Sequence, residues 1–430
     1  MASYLDLEIE AWKRLAPGAA YTIIEALYIV SILVLSAYAL WYLSSLVAYL
    51  ARPGLPSREP EGGWPRVAVV YPVYNDYEIL SSLRTALAMD YPDYTVIVVD
   101  DSSDARLSGR LEEEARRSGG RLVHLKRPNR RGLKAGALNY AARHAERLGA
   151  KYILVLDADF EPPPWLLRRM VSIAESSGAV IVQGHQKHSK GASGFFGALY
   201  RASMAGATVF LAGREAMGMF PIFTGSVALI RLDALREVGF REGSISEDLR
   251  WTIDARLAGV LDAVRVDPHS WAAGSVPKSL RAVVRQQLRW SAGTTRETLS
   301  TMRDFLLARH VSPGEKAGYL LQGMFYTQGV WVYLSTLAPL LASLLGYTLP
   351  PLWGLGLYVW MLGIETIVLA GAMEEGYARG LMAQVALAVL PYIYITSLIH
   401  AVGTLQALLG RGGSWVVTPK RGEYEGLYRD

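Results

Sequence analysis

At 430 residues the chain has room for one large domain or two to three ordinary ones. Hydrophobic residues make up 51% of it and mean hydropathy is +0.19, with the apolar excess at the two ends rather than the middle. A net charge of +5 is too small and scattered to argue for nucleic acid, and the lack of cysteine excludes disulfides, thiolate metal sites and a cysteine nucleophile.

Residues 1–17 alternate polar and apolar side chains, which predicts an amphipathic helix on a membrane surface. Residues 21–50 carry Glu25 as their one charge and exceed the ~20 apolar residues a span needs. They are too long for a signal-peptide core and read as a retained anchor. Arg52, Arg58 and Arg66 follow it and favour an exit on the cytoplasmic side. Residues 52–65, rich in Pro and Gly, form a linker.

From Val67 the pattern changes to strands alternating with helices. Strands are predicted over 67–71, 94–99, 122–125 and 152–156, with helices over 78–89, 107–118 and 136–148. Such alternation implies right-handed βαβ units and a parallel sheet. Several strands end in acids: Y-P-V-Y-N-D (71–76), D-D-S-S-D (100–104) and D-A-D (157–159). Ligands bind beyond the carboxyl ends of such strands. Asp157 and Asp159, two residues apart in extended chain, share one side and can converge on a hard divalent cation that bridges phosphates. A turn with two solvated acids is the bland alternative. Asp100 and Asp101 suit a base or ribose, or equally a turn and helix cap. Lys134 lies at a glycine-flanked helix start suited to a diphosphate, whereas Lys126 and Arg127 read slightly better as a solvated basic loop. Residues 195–220 are apolar but interrupted by Arg201, Arg214 and Glu215, and read as a packed helix rather than a span. Thr224-Gly225-Ser226 form a turn entering a strand. Ser246 is a candidate helix cap with Glu247 and Asp248 in the first turn. Residues 277–290 form an amphipathic helix whose Arg285, Gln286, Arg289 and Trp290 suit phosphate and sugar, with a basic helix on lipid as the alternative.

These stretches, with W-V-V-T-P-K at 415–420, come in an order that resembles the processive membrane glycosyltransferases of family 2, the cellulose synthase and hyaluronan synthase type. The matching motifs cover residues 67–290 and the tail. The resemblance implies an α/β GT-A (Rossmann-like) cytosolic domain plus an α-helical transmembrane region, a nucleotide-sugar donor, a UDP-sugar by expectation, and Mg2+ or Mn2+. It implies that Tyr74, Asp76, Asp100 and Asp101 hold the nucleoside, that Lys134 and Asp157 hold the diphosphate, and that Asp157 and Asp159 hold the metal. Asp248 would be the catalytic base with Glu247 beside it, although Ser246 stands where Thr is usual. Gln286, Arg289 and Trp290 would close over diphosphate and acceptor, Thr224, Gly225 and Ser226 would meet the acceptor, and Thr418 and Lys420 would belong to a gating loop. Asp76, where Glu is usual, and a tail too short for a cyclic-nucleotide-binding domain are departures.

The expected organisation is an interface helix and anchor (1–51), a cytosolic GT-A domain (52–280), amphipathic interface helices (281–316), transmembrane helices (317–410) and a cytosolic tail (411–430). Apolar segments at 317–346, 351–372 and 381–409 raise a parity conflict: three full spans would put the tail outside, away from the nucleotide. A break at Pro391, with part of 381–409 lying in the interface or re-entering, is the expected resolution. Glu365, at membrane depth, lines a channel or meets a structural partner. The leading expectation is an inverting enzyme of the plasma membrane that extends a polysaccharide, with export an added option. Single-sugar transfer to a membrane lipid is the second reading. A membrane nucleotide sensor or transporter is the third.

Overall fold

A computed structural model describes residues 4–191, 194–277, 279–349 and 354–410. The expectations placed on Trp415, Thr418 and Lys420 lie outside these residues. In chain order the elements are α1 (Tyr4–Ala51), β1 (Val67–Val73), α2 (Ile79–Ala86), β2 (Tyr94–Asp100), α3 (Ala105–Arg117), β3 (Leu122–Lys126), α4 (Leu133–Arg147), β4 (Tyr152–Val155), α5 (Leu166–Ser177) and β5 (Ile181–Lys190). Then come α6 (Gly194–Ala216), β6 (Ala228–Arg231), α7 (Leu232–Glu237), α8 (Glu247–Leu257), β7 (Val264–Ser275), α9 (Leu280–Leu307), α10 (Pro313–Gly323), a 3-10 turn (Phe325–Thr327), α11 (Gln328–Leu344), α12 (Gly354–Glu374) and α13 (Arg379–Leu408).

The strands form one sheet in the order β3-β2-β1-β4-β6-β5-β7. Alternate residues of a strand face opposite sides, and β1 shows both sides buried. Val67, Val69, Tyr71 and Val73 pack against α2, α3 and α5, while Ala68 and Val70 pack against α4, α7 and α8. Each such aliphatic side chain contributes about 1.5–3 kcal/mol when fully buried, so the near-continuous apolar runs are what a two-sided sheet requires. β1, β2, β3 and β4 are parallel, as the alternation predicts. β6 runs antiparallel to both β4 and β5, so the sheet is mixed. This reversal matters for the site. An antiparallel strand presents its amino end at the edge where its neighbours present carboxyl ends, and so Thr224–Ser226, just before β6, meet Asp157 after β4.

Among the described residues, four helices are long and apolar enough to cross a membrane: residues 18–51 of α1, and α6, α12 and α13. α1 is one continuous helix through Pro17, not an interface helix followed by an anchor. α6 is long and apolar enough to be counted here, and it is the most buried of the four. It crosses α12 at a glycine pair. A Cβ on Gly371 would sit 2.2 Å from the Gly206 nitrogen, so only glycine permits this approach. The apolar segment 317–346 is divided among α10, the 3-10 turn and α11. α13 runs unbroken through Pro391, so the expected break is absent. Glu365 is half-buried on α12 and is not part of the cavity wall described below.

The parity conflict is eased in another way. The α12–α13 connector is fastened to the sheet domain: Glu375 meets His185 Nε2 at 3.3 Å, and the Tyr377 hydroxyl donates to the Ala198 carbonyl. At the far end of α13, His400 Nε2 lies 3.0 Å from Gln287 Oε1 on α9, and Gly403 lies against Ser291. One end of α13 is therefore tied to β5 and α6, and the other to α9. At the opposite end of α1, the Tyr21 hydroxyl reaches the Thr348 carbonyl. Single cysteines at exposed Met373 and Glu59 should react with an impermeant thiol reagent from one side of the membrane, and one at Thr348 from the other. Labelling of positions 373 and 348 from the same side would refute this arrangement.

Candidate active site

A cavity of about 400 Å³ opens at the carboxyl edge of the sheet, a size suited to a substrate-like ligand. Its floor is organised by Lys134 in the first turn of α4. The ammonium donates to Asp157 Oδ1 at 2.6 Å and to the Gly225 carbonyl at 2.8 Å, and Glu247 lies 3.6 Å away. Burial alone would lower the Lys134 pKa, but Asp157, Glu247 and Asp248 hold it above its ordinary value, so the ammonium stays charged. Gly225 has φ +86°, and a Cβ there would come within 2.9 Å of Asp248 Oδ2. The glycine is needed for both the backbone and the close approach. Three non-glycine residues with positive φ adjoin site residues: Asn75 between Tyr74 and Asp76, Leu133 before Lys134, and Val227 after Ser226. Strain of this kind collects at functional sites.

Asp248 sits in the first turn of α8 on the cavity wall. Its pKa is pushed up to about 7. Burial is the main cause and the Glu247 charge adds to it, against the lowering effects of the Leu249 N–H, Lys134 and Arg289. Glu247 is buried beside Lys134. Ser246 occupies the cap position but its side chain makes no capping bond. From α9 come Gln286, which accepts the Tyr200 hydroxyl at 2.9 Å, together with Arg289 and Trp290. Arg289 Nε is buried and has no hydrogen-bond partner among the described residues, the condition expected of a group that meets a ligand.

Beyond the ends of β1 and β2, Arg130 stacks 3.4 Å over the Tyr74 ring, and Asp76 Oδ1 accepts the Glu78 N–H. Asp101 faces the cavity and is gripped by Arg127, with 2.6 Å from Nε to Oδ1 and a second bond from Nη2. Lys126 binds Asp100, Ser108 and the Ser102 carbonyl. Arg127 is buried and Lys126, at the end of β3, is exposed, yet both fix the turn after β2.

Asp100 departs from expectation. It is fully buried, turned away from the cavity, and accepts from Ser102 N–H (2.8 Å), Ser108 (2.5 Å) and the His124 ring (3.1 Å). Burial would raise its pKa, but the His124, Ser108 and Ser102 bonds hold it well below the usual carboxylate range. The cap of α3 is Asp104. Ser226 is also not an acceptor contact. It is buried beneath the wall, where its hydroxyl accepts the Asp157 N–H at 2.9 Å. Thr224 and Gly225 remain on the wall, Thr224 held by Gln183 and Gln186.

Asp157 and Asp159 both line the cavity, and the Ser275 N–H anchors Asp159 Oδ2 at 2.9 Å. Among the described residues no group of three or more metal-binding side chains exists. Two carboxylates at a strand end fit a hard cation that takes its remaining ligands from a diphosphate, the common pattern for Mg2+. Sequence motifs gave no sign of Arg130, Gln183, Tyr200 or Tyr326, which the fold also brings to or beneath this wall.

Residues 68–239 match the profile of glycosyl transferase family 2. They form a family 2 glycosyltransferase domain. Curated relatives include glucomannan 4-beta-mannosyltransferase 7 of Arabidopsis thaliana, 26% identical over 64% of this chain and 50% of the relative. A probable glucomannan 4-beta-mannosyltransferase 6 of Oryza sativa subsp. japonica is 24% identical over 99% of this chain and 78% of the relative. The first is thus matched over only about half its length. Among solved structures, mannosyltransferase PcManGT from Pyrobaculum calidifontis, in complex with GDP-Man and Mn2+, superposes with a TM-score of 0.66 over 90% of this chain and all of that one, at 18% identity. The GT-A fold is therefore shared. The domain is that of a sugar-transferring enzyme, which sets aside the sensor and transporter readings.

Removing the Asp100 carboxyl should lower stability rather than donor affinity. Asp100→Ala leaves the Ser102, Ser108 and His124 donors without their acceptor, at a cost of about 1–3 kcal/mol. Because the folded pKa is depressed, the stability this carboxylate contributes is present above its unfolded pKa and lost as acid titrates it. A variant with an unchanged melting temperature but weakened nucleotide binding would return Asp100 to the nucleoside.

Proposed function

We propose that this chain is an integral membrane enzyme that moves a mannosyl group from a nucleotide-activated mannose to a glycan acceptor, with inversion at the anomeric carbon. One observation carries the reading: the Lys134–Asp157 pair, Arg289 with its unpartnered Nε, and the Asp248 carboxylate with its raised pKa share one cavity wall. In this reading Lys134 and Arg289 receive the charge of the departing diphosphate. Asp157 and Asp159 would hold a divalent cation, which when bound neutralises that leaving group. Tyr74, Asp76 and Asp101 face the nucleoside, and Trp290 with Thr224 and Gly225 face the acceptor. The acceptor hydroxyl attacks the anomeric carbon, its proton passes to Asp248, and the bond from that carbon to the diphosphate breaks with its electron pair leaving on the diphosphate. A carboxylate with pKa near 7 is a better base than an ordinary aspartate and is about half ionised at neutral pH.

The named activity of the curated relatives favours mannose over the UDP-sugar expected from sequence. The GDP-Man and Mn2+ of the superposed mannosyltransferase fit the same donor and metal class. Processive extension of a polysaccharide is the form of the activity we favour, with the catalytic domain cytosolic and the enzyme in the plasma membrane. Single-sugar transfer to a lipid is the second reading. It draws on the apolar side of the cavity, where Met204, Phe210 and Leu211 of α6 adjoin the membrane helices.

Asp248→Asn should retain GDP-mannose affinity while transfer falls roughly 10²–10⁴-fold. In the unaltered protein kcat/KM should decline as pH drops below about 7, because Asp248 must be ionised to accept a proton. The folded pKa is raised, so the stability contributed by the protonated form is present below the unfolded pKa and lost as pH rises through about 7. Asp248→Asn should therefore melt no lower than the parent at pH 8. Donor calorimetry, turnover and melting, read on the same preparation, check all three. Normal turnover, or donor binding lost in proportion to turnover, would place the base elsewhere.

A further inference from the structure

The cavity has a wall that no motif supplies. The 3-10 turn between α10 and α11 brings Phe325 and Tyr326 to it, on the side of Asp248 and Arg289. Tyr326 is set from two directions. Its ring meets His400 of α13 edge-on at 4.8 Å, and His400 is itself fixed by Gln287 of α9 at 3.0 Å. Phe325 packs against it at 5.2 Å, also edge-on.

The hydroxyl is what distinguishes this tyrosine. Its neighbours use theirs within the protein: Tyr200 on Gln286, Tyr42 on Gln328, Tyr38 on the Leu321 carbonyl and Tyr319 on the Thr298 carbonyl. Among the described residues none hydrogen-bonds the hydroxyl of Tyr326, a half-buried residue on the cavity lining. Burial raises the Tyr326 pKa, and the nearby Asp248 charge raises it further while Arg289 opposes it, so the phenol stays protonated and available as a donor. A rigid ring with a polar tip suits a sugar, which offers an apolar face and a rim of hydroxyls.

We propose that Tyr326 forms a subsite for the acceptor sugar, its ring a wall for the sugar ring and its hydroxyl a donor to a sugar hydroxyl near the one that attacks. This deepens the proposed transfer reaction and rests on that reading. It assigns Tyr326 to positioning of the acceptor, with Asp248 alone taking the proton. It also couples the subsite to the membrane part, because α13 and α9 together hold the ring.

The test uses the full chain in detergent or nanodiscs, with GDP-mannose as donor and β-1,4-mannotetraose as acceptor. Tyr326→Phe keeps the ring and removes the hydroxyl. It should raise the acceptor KM about three- to tenfold, the range of one lost hydrogen bond. GDP-mannose affinity and its slow hydrolysis by water should not change. Tyr326→Leu, which also removes the ring face, should raise the acceptor KM further with the same donor hydrolysis. A purely structural role would depress donor hydrolysis and transfer together, and either that result or an unchanged acceptor KM in Tyr326→Phe overturns the subsite. Failure of the unaltered chain to bind or hydrolyse GDP-mannose would instead strike the transferase reading, and the subsite with it.

Discussion

The site depends on one buried ammonium group. Lys134 connects α4, the end of β4, the turn before β6 and the start of α8 through Asp157, the Gly225 carbonyl and Glu247. Four stretches of chain separated by up to 113 residues, from 134 to 247, are held by one charge. A buried ion pair of this kind contributes little net stability, since desolvation offsets much of the attraction. Its value is positional. It keeps Asp157 and Glu247 close together at the cavity floor, where a cation-bound diphosphate would meet them.

The same crowding sets the character of Asp248. Two influences compete there. The start of α8 and the neighbouring cations favour the ionised form, whereas burial and Glu247 disfavour it. Dipole and surface charge effects are usually a fraction of a kcal/mol to about 1 kcal/mol, and desolvation can exceed them severalfold. Burial wins, and the carboxylate becomes a base matched to neutral pH. Glu247, buried against Lys134 and also on the cavity lining, acts on Asp248 through its charge.

Much of this was legible in the residues because it is local. Apolar runs ending in Asp76, Asp101 and Asp157 located the sheet edge, since a strand buried on both faces needs such a run. Helical spacing located Gln286, Arg289 and Trp290 on α9. Other features were illegible for equally physical reasons. Strand direction is not written in a four-residue strand, so the reversal of β6 that brings Gly225 to Asp157 could not be read. Pro391 read as a break, yet α13 continues through it, with Val389 and Ile393 packed against neighbouring helices. Tyr326 belongs to no pattern, because its place is decided by the packing of α9 and α13 against the turn that carries it.

The central claim is a single displacement, with one carboxylate taking the acceptor proton while the diphosphate leaves from the opposite face of the sugar. The most direct measurement is the anomeric configuration of the newly made linkage. The chain is given GDP-α-mannose labelled with 13C at the anomeric carbon, and the product is read by the one-bond carbon–proton coupling at that carbon. A β-linkage is the predicted result. An α-linkage would contradict the account, because retention requires a second displacement and a nucleophile that this reading does not assign.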